Sequence, residues 1–395
     1  MKKAAINIAL GITAFFLAFT IALGIAEAIT RIYFPAPEQI TTSVKPLDFS
    51  NIHPALEKKH LSISEHPDQG GLYRGTPAGR RLNPNRIVTI ENHRLSKKKV
   101  IIETNSIGYR NPEIKNKHGK RILFLGDSIT FQDFLNENET FVRLVEQKSQ
   151  HEGKDWETIN SGVGSISLKT ELAILMESGL QLEPDIVVLD FYLNDFQESK
   201  GVSITKLPAL LNKSWFAYYV INQFNQLSAR MITHERVDLK TWQAHFETKN
   251  KFSDGMFNEN PQAFNSMIKN NFPDYGAAWS PDAWDYMLPL FAELKRLSVE
   301  HHFKLVIVGF PIYQQVYTEF LDDYPQQQLV RVGKVLDIPV LDLLPPLRAE
   351  ALRLQNPSMY HSQQIYQDLF YDQCHHTPAG SAFVADQIYS FLSDM

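Results

Sequence analysis

Ile122-Leu123-Phe124-Leu125-Gly126-Asp127-Ser128 is a short apolar run closed by a Gly-Asp-Ser turn. Such a run, bounded by turn residues, reads as a buried strand, and the same pattern recurs downstream. Trp156 to Asn160 reads as a strand ending in Ser161-Gly162. Asp185 to Phe191 is the clearest buried strand of the chain, followed by Leu305 to Phe310 and Val340 to Leu344. Between the strands the spacing turns helical. Phe141, Leu144 and Val145 mark one helix; Leu168, Leu172, Leu175 and Met176 mark another, with Gly179 placed to stop it. Ser280 as cap and Pro281 as first residue open a helix that Pro289 should kink. Thr377-Pro378 opens a final helix carrying Val384, Ile388 and Leu392. Strands alternating with helices predict an α/β fold, a parallel sheet covered on both faces, over 120–395.

Residues from about 200 to 279 interrupt this alternation. Trp215, Phe216, Tyr218, Tyr219 and Phe224 crowd the first half of the insertion, and Trp279 and Trp284 flank its end. It reads as a helical subdomain with its own small core, as a lid or acyl or sugar platform over the sheet's carboxyl edge, or as a membrane contact. The sequence leaves these open.

The other end of the chain is of a different kind. Lys2 and Lys3 precede an apolar run from Ala4 to Ala26, broken only by Asn7, Thr13 and Thr20. About 20 residues of helix cross the hydrocarbon core, whereas the apolar stretch of a secretory signal runs to about 7–15. Residues 1–30 therefore read as a retained transmembrane anchor rather than a core helix. Ala26-Glu27-Ala28 nevertheless fits a small-x-small cleavage pattern. The two lysines ahead of the span, against Arg31 alone close behind it, predict a cytoplasmic N-terminus. Residues 31–119 read as a juxtamembrane linker with a small β-containing segment. Residues 38 to 85 look irregular, and Val88 to Ile90 and Val100 to Ile102 form short strands around a basic turn. From Arg86 to Arg121 there are ten Lys/Arg against three Glu, read as a solvated hairpin or a seat for anionic glycans or headgroups.

Composition narrows the function classes. A net charge of −5 over 395 residues gives no case for nucleic acid as a partner. A single cysteine, Cys374, excludes an intrachain disulfide and any Cys-based zinc site, and reads as a small buried hydrophobe. Ligands of doubly wound sheets sit beyond the carboxyl ends of the strands. Those ends deliver Gly126-Asp127-Ser128, Asn160-Ser161-Gly162 and Asn194-Asp195, with Asp372-Gln373-Cys374-His375 ahead of the last helix. Together they supply the parts of acyl transfer. Ser128 is the candidate nucleophile, His375 the base, and Asp372 the carboxylate that orients the imidazole. The backbone N–H groups of Ser128 and Gly162 and the side-chain amide of Asn194 are the candidate oxyanion donors. Asp127 and Asp195 read as turn-shaping residues.

Gly126-Asp127-Ser128-Ile129-Thr130, Gly162, Asn194 and Asp372-x-x-His375 resemble the four blocks of the SGNH (GDSL-type) hydrolases, from about Arg121 to the C-terminus apart from the insertion. The resemblance implies a flavodoxin-like three-layer α/β/α sandwich and ester chemistry needing no cofactor or metal. Asn105 to Arg110, together with the N-terminal span, resembles a membrane-anchored bacterial branch of that family. Two positions depart from its pattern. Tyr192 stands where Gly is usual, which would crowd the oxyanion pocket, and His376 stands where Pro is usual, which raises a register question settled in favour of His375.

The expectation is a serine esterase acting on O-acyl esters, O-acetyl among them, of envelope glycans or lipids through a Ser128 acyl-enzyme. It would be anchored once in the bacterial inner membrane with its catalytic domain in the periplasm. Its activity would rise as His375 deprotonates near about 6.5 if the site leaves it unshifted. An O-acyltransferase that modifies a surface polysaccharide, and a catalytically inactive envelope scaffold, are the rival readings.

Overall fold

In a computed structural model of the chain, the described residues are 2–45, 71–196, 213–221, 223–224, 269, 276–317, 321–354 and 369–395. Most of the insertion, and the 46–70 part of the linker, lie outside them. The chain forms two compact units, Met1–Gln39 with Val202–Glu235, and Ile40–Gly201 with Arg236–Met395.

The first unit is built on helix α1 (Lys2–Tyr33). Its stretch Gly11–Tyr33 has a mean hydropathy of 2.1 and is long and apolar enough to cross a membrane. A helical turn over 215–221 belongs to the same unit.

The second unit begins with β1 (Gln39–Val44), followed by β2 (Tyr73–Thr76) and β3 (Gly79–Leu82), which form an antiparallel ribbon. β4 (Arg86–Glu91) and β5 (Val100–Glu103) pair antiparallel, with β4 between β1 and β5. The stretch expected to be irregular thus contains three strands, short ones whose residues alternate too little to announce themselves. Val88, Ile90, Val100 and Ile102 are buried in the same apolar cluster as the main sheet. Of the basic excess, Arg110 and Arg121 are buried rather than solvated. Arg121 pairs with Glu157 at 2.6 Å and donates to the carbonyls of Leu182 (2.6 Å) and Lys115 (2.8 Å).

The α/β pattern then unfolds as expected. β6 (Lys120–Gly126) leads to the four-residue α2 (Ser128–Phe131), then α3 (Phe141–His151), β7 (Trp156–Asn160), α4 (Leu168–Ile174) and β8 (Ile186–Tyr192). After the insertion come α5 (Pro281–Glu300), β9 (Lys304–Phe310), α6 (Tyr313–Tyr317) and α7 (Tyr324–Leu336). β10 (Val340–Asp342), α8 (Leu344–Leu354) and α9 (Pro378–Ser393) complete the chain. β10 is shorter than expected because Asp342 Oδ1 accepts the N–H of Leu344 and starts α8 there. Ser280 sits at the cap of α5, but its side chain makes no capping bond, and the helix runs on through Pro289.

The five parallel strands lie in the order β10-β9-β8-β6-β7. This is the flavodoxin-like order, and right-handed crossovers then place the helices on both faces. α3 packs on β7 and α9, while α5 packs on β9, α4 and α7. β8, central and buried on both faces, has no exposed residue, which is why its sequence is apolar without alternation. The chain leaves β6 toward β7 on one side and returns to β8 on the other. The crevice between the carboxyl ends of β6 and β8 is therefore the switch point where such sheets bind ligands.

Gly179 does not stop α4. The helix loosens into a π turn at Leu175–Gly179 and a 3-10 turn at Leu180–Leu182, and ends at Glu183 with φ 52°. The glycine serves packing instead: a Cβ there would lie 2.8 Å from Leu123 Cδ2.

Candidate active site

Ser128 stands at the switch point because the turn before it is unusually tight. A Cβ on Gly126 would lie 2.0 Å from Thr130 Oγ1, so only glycine fits the end of β6. Asp127 Oδ1 accepts the N–H of Ile129 at 2.8 Å and caps α2. The half-buried Ser128 is thereby left as the first helical residue, its N–H outside the helix's own bonding and turned to the Asp127 carboxylate. Its hydroxyl donates to Asp127 Oδ2 at 3.3 Å.

A brace not foreseen from the sequence holds the far end of α2. Arg110 is buried and its guanidinium donates to the carbonyls of Phe131 (2.6 Å), Gln132 (2.5 Å) and Leu135 (2.5 Å). Burial pushes this guanidinium down to about 10. Asn105 shapes the turn that delivers it, its Oδ1 accepting the N–H groups of Ile107 (3.2 Å) and Tyr109 (2.9 Å). The Asn105-to-Arg110 segment is thus part of the scaffold of the serine turn.

The opposite wall is the loop before α9. Asp372 Oδ1 accepts the N–H groups of Cys374 (3.1 Å) and His375 (2.9 Å), and Asp372 Oδ2 lies 2.8 Å from His375 Nδ1. His375 Nε2 lies 3.1 Å from Ser128 Oγ. Phe134, on the segment Arg110 holds, packs its ring 4.9 Å from the imidazole. Burial opposes charge on both members of the pair, but their mutual attraction prevails: His375 is raised well above the usual histidine value and Asp372 is held well below the usual carboxylate range. The site thus shifts the base upward from the ordinary value of about 6.5.

His376 points away from this arrangement. It is buried between Phe310 and Phe370, with ring centroids 5.9 and 4.6 Å away, and burial holds it neutral by lowering it to about 3. Tyr192 ends β8 buried, and its side chain hydrogen-bonds Cys374. It props the histidine loop from below instead of crowding an anion pocket. Cys374 is buried and its thiol is pushed up to about 11 by that burial, which keeps it protonated.

Of the expected donors, Asn194 hydrogen-bonds Asp127 through its side chain, which brings it beside the serine turn, while its Oδ1 has no partner among the described residues. Gly162 is different. Its N–H donates to Asn160 Oδ1 at 2.9 Å and is engaged within the chain. A Cβ there would lie 2.4 Å from the N of Phe131, so glycine is needed for the loop to pack against α2. Further along this loop, Gly164 and Ser165 have N–H groups with no hydrogen bond among the described residues. Ser165 has φ 62°, a left-handed conformation that turns this backbone back on itself. A Gly-Ser pair just past a strand-end glycine was the available sign.

Beneath the serine lie four buried carboxyl groups, Asp127, Glu171, Asp190 and Asp195. Burial, and then their mutual repulsion, raises Glu171, Asp190 and Asp195 well above the usual carboxylate range. Thr130 Oγ1 donates to Asp190 at 2.7 Å and the N–H of Tyr192 to Asp195 at 2.7 Å. Both oxygens of Glu171 lack a partner among the described residues.

Asp372, Cys374 and His375 have donor atoms within 4.8 Å of one another, the spacing of a metal site. A metal there would have to part the Asp372–His375 hydrogen bond and deprotonate a buried thiol, so the donor set fits a proton relay better than a metal centre.

No family model matches the chain, and no curated protein matches it. Among solved structures, it is similar to the acetyl xylan esterase AlAXEase at 16% identity and TM-score 0.40, covering 69% of this chain and 99% of that one. It is similar to TesA at 11% identity and TM-score 0.39, covering 70% and 99%. The lipase/acylhydrolase from Enterococcus faecalis gives 13% identity and TM-score 0.36, covering 70% and 96%. Likeness at this level adds nothing to the chemistry, which stands on the chain's own atoms.

Proposed function

We propose that this chain is a serine esterase of the SGNH type, with Ser128 as nucleophile, His375 as general base and acid, and Asp372 as the carboxylate that orients it. The observation that carries the reading is the relay from Asp372 Oδ2 to His375 Nδ1 at 2.8 Å and from His375 Nε2 to Ser128 Oγ at 3.1 Å. The Asp372 carboxylate favours the protonated imidazole, and in that state its Nε2–H donates a hydrogen bond to Ser128 Oγ while the serine hydroxyl donates to Asp127 Oδ2. Once His375 has lost that proton, Nε2 accepts the serine proton as Oγ attacks the ester carbonyl.

The tetrahedral oxyanion is held by the Ser128 N–H, the Asn194 side-chain amide and the loop beginning at Gly162, with Gly164 and Ser165 as the N–H groups available there. Collapse expels the alcohol, protonated by His375, and leaves Ser128 acylated. A water deprotonated by the same imidazole then releases the acid. The donor set needs no metal or cofactor for these steps.

The substrates are O-acyl esters, with O-acetyl groups on envelope glycans or lipids as the proposed class. Residues 1–30 anchor the chain once in a bacterial inner membrane, 31–119 join the anchor to the catalytic domain, and 120–395 form that domain on the periplasmic side. The test is hydrolysis of p-nitrophenyl esters from acetate to dodecanoate by the detergent-solubilised full chain, beside Ser128→Ala. Activity lost by at least about 10³-fold in the variant supports the nucleophile. Equal rates in the two proteins overturn it.

A further inference from the structure

The apolar helix carries one acidic residue in its exit turn, and that residue is occupied. Glu27 Oε2 accepts the hydroxyl of Ser214 (2.8 Å) and the N–H of Phe216 (3.1 Å), and Glu27 Oε1 accepts the N–H of Trp215 (3.1 Å). Arg31, one turn on, bonds Glu27 at 2.7 Å, donates to the carbonyl of Lys213 at 3.1 Å and lies 5.2 Å over the Trp215 ring. Tyr219 OH donates to the Pro35 carbonyl at 2.7 Å, and its ring lies 4.9 Å from Phe34. These contacts fix the start of the insertion to the last turn of α1, although 187 residues separate Glu27 from Ser214.

The exposure pattern says what lies around this joint. On α1, Thr30, one turn on from Glu27 on the same side of the helix, is 5% exposed, while Ile25, Ile29 and Ile32 remain 56%, 48% and 72% exposed. Val220 and Phe224 are 49% and 56% exposed on the docked segment. The 23-residue apolar run from Ala4 to Ala26 precedes Glu27 on α1, about 35 Å of helix, enough to cross a hydrocarbon core about 30 Å thick with some tilt. The carboxylate therefore falls where a spanning helix leaves the hydrocarbon. Tyr and Trp rings concentrate at that depth, and cationic side chains near it face the headgroups. Trp215, Tyr218 and Tyr219, with Arg31 and Lys213, have this composition.

We propose that residues 213–221, with Gln223 and Phe224, form an interfacial collar docked by Glu27 on the membrane-exit turn of α1, with its aromatic side chains in the headgroup zone of a lipid bilayer. The collar gives the insertion a membrane partner, and it makes α1 a retained structural element. Cleavage after Ala28 would carry Glu27 away and leave the N–H groups of Trp215 and Phe216 without their acceptor.

The experiment uses the full-length chain in phosphatidylethanolamine–phosphatidylglycerol liposomes, with an environment-sensitive fluorophore on Val220→Cys or, as a second position, Phe224→Cys. Val335→Cys on α7 is the reference, and unsubstituted protein is the labelling blank because Cys374 is buried. Lipids with a nitroxide near the headgroup should quench the 220 and 224 probes by more than about half and leave the 335 probe nearly unchanged. Glu27→Ala should bring the 220 probe to the level of 335 while the chain still sediments with the liposomes through α1. A 220 probe quenched no more than 335 overturns the collar, including the case where it is shielded from aqueous iodide and so covered by protein. Quenching unaffected by Glu27→Ala overturns the docking role of Glu27.

Discussion

His375 Nε2 lies 3.1 Å from Ser128 Oγ, although 247 residues separate the two in the chain. The sheet joins them: Ser128 follows β6 at the switch point, and the Asp372-to-His375 loop closes over it from the start of α9. That single contact brings two separately unremarkable turns into hydrogen-bond distance of each other.

The pH dependence follows from the pair behind the contact. His375 is raised because, against burial, the Asp372 carboxylate favours its charged form. Hydrolysis needs the neutral imidazole, so kcat/KM should climb with pH along a limb centred above about 6.5. Asp372→Asn should move that limb downward and cut kcat by about 10⁴-fold. Steady-state rates from pH 5 to 10 check both; a limb at or below 6.5 in the unsubstituted enzyme contradicts the assignment.

Asn194 and Gly162 should respond differently to substitution. Asn194→Ala removes a side-chain donor and should lower kcat about 10²–10³-fold with thermal unfolding little changed. Gly162→Ala forces a Cβ to within 2.4 Å of the Phe131 N, so its main effect should be a lower unfolding temperature. Paired kinetics and calorimetry separate the two roles.

Arg110 should act as a positioning residue. Arg110→Met would strand the buried carbonyls of Phe131 and Leu135, each costing about 1–3 kcal/mol, leave the Gln132 carbonyl only the N–H of Leu135, and release the segment that carries Phe134 against His375. Arg110→Lys keeps the charge without the fork and should recover only part of the stability. Both variants should lose kcat while the pH limb set by Asp372 and His375 stays in place, a combination that unfolding curves and pH profiles together can read.

Glu171 makes stability fall as pH rises above the ordinary carboxylate range. Its folded value is raised above the unfolded one, so its contribution is complete below about 4.3 and is lost as pH rises through the higher folded value. Thermal unfolding from pH 5 to 9 should show a steeper decline for the unsubstituted chain than for Glu171→Gln, which has no proton to lose. Parallel declines would mean that the group is already ionised in the fold.

The strands and the relay residues were legible because both depend on local pattern. Buried parallel strands need largely apolar runs, as at Ile186 to Tyr192 where only Asp190 intervenes, and the proposed catalytic types sit just past their ends. What escaped notice depends on distant partners. Arg110 and Arg121 look like surface cations until the carbonyls around them are known, and Gly179 looks like a stop signal until Leu123 is seen against it. Tyr192 reads as an obstruction because its destination, Cys374, is 182 positions away in the sequence. The N–H of Gly162 is the exception: its acceptor, Asn160 Oδ1, is only two residues upstream, a local turn hidden by reading Asn160 as the last residue of a strand.

The most direct test of the central claim is labelling of the full chain with a fluorophosphonate, a serine-directed probe, followed by peptide mass spectrometry. The account predicts a single adduct on Ser128, abolished by Ser128→Ala and strongly slowed by His375→Ala. A folded protein that takes up no probe, or takes it up on another residue, would contradict it.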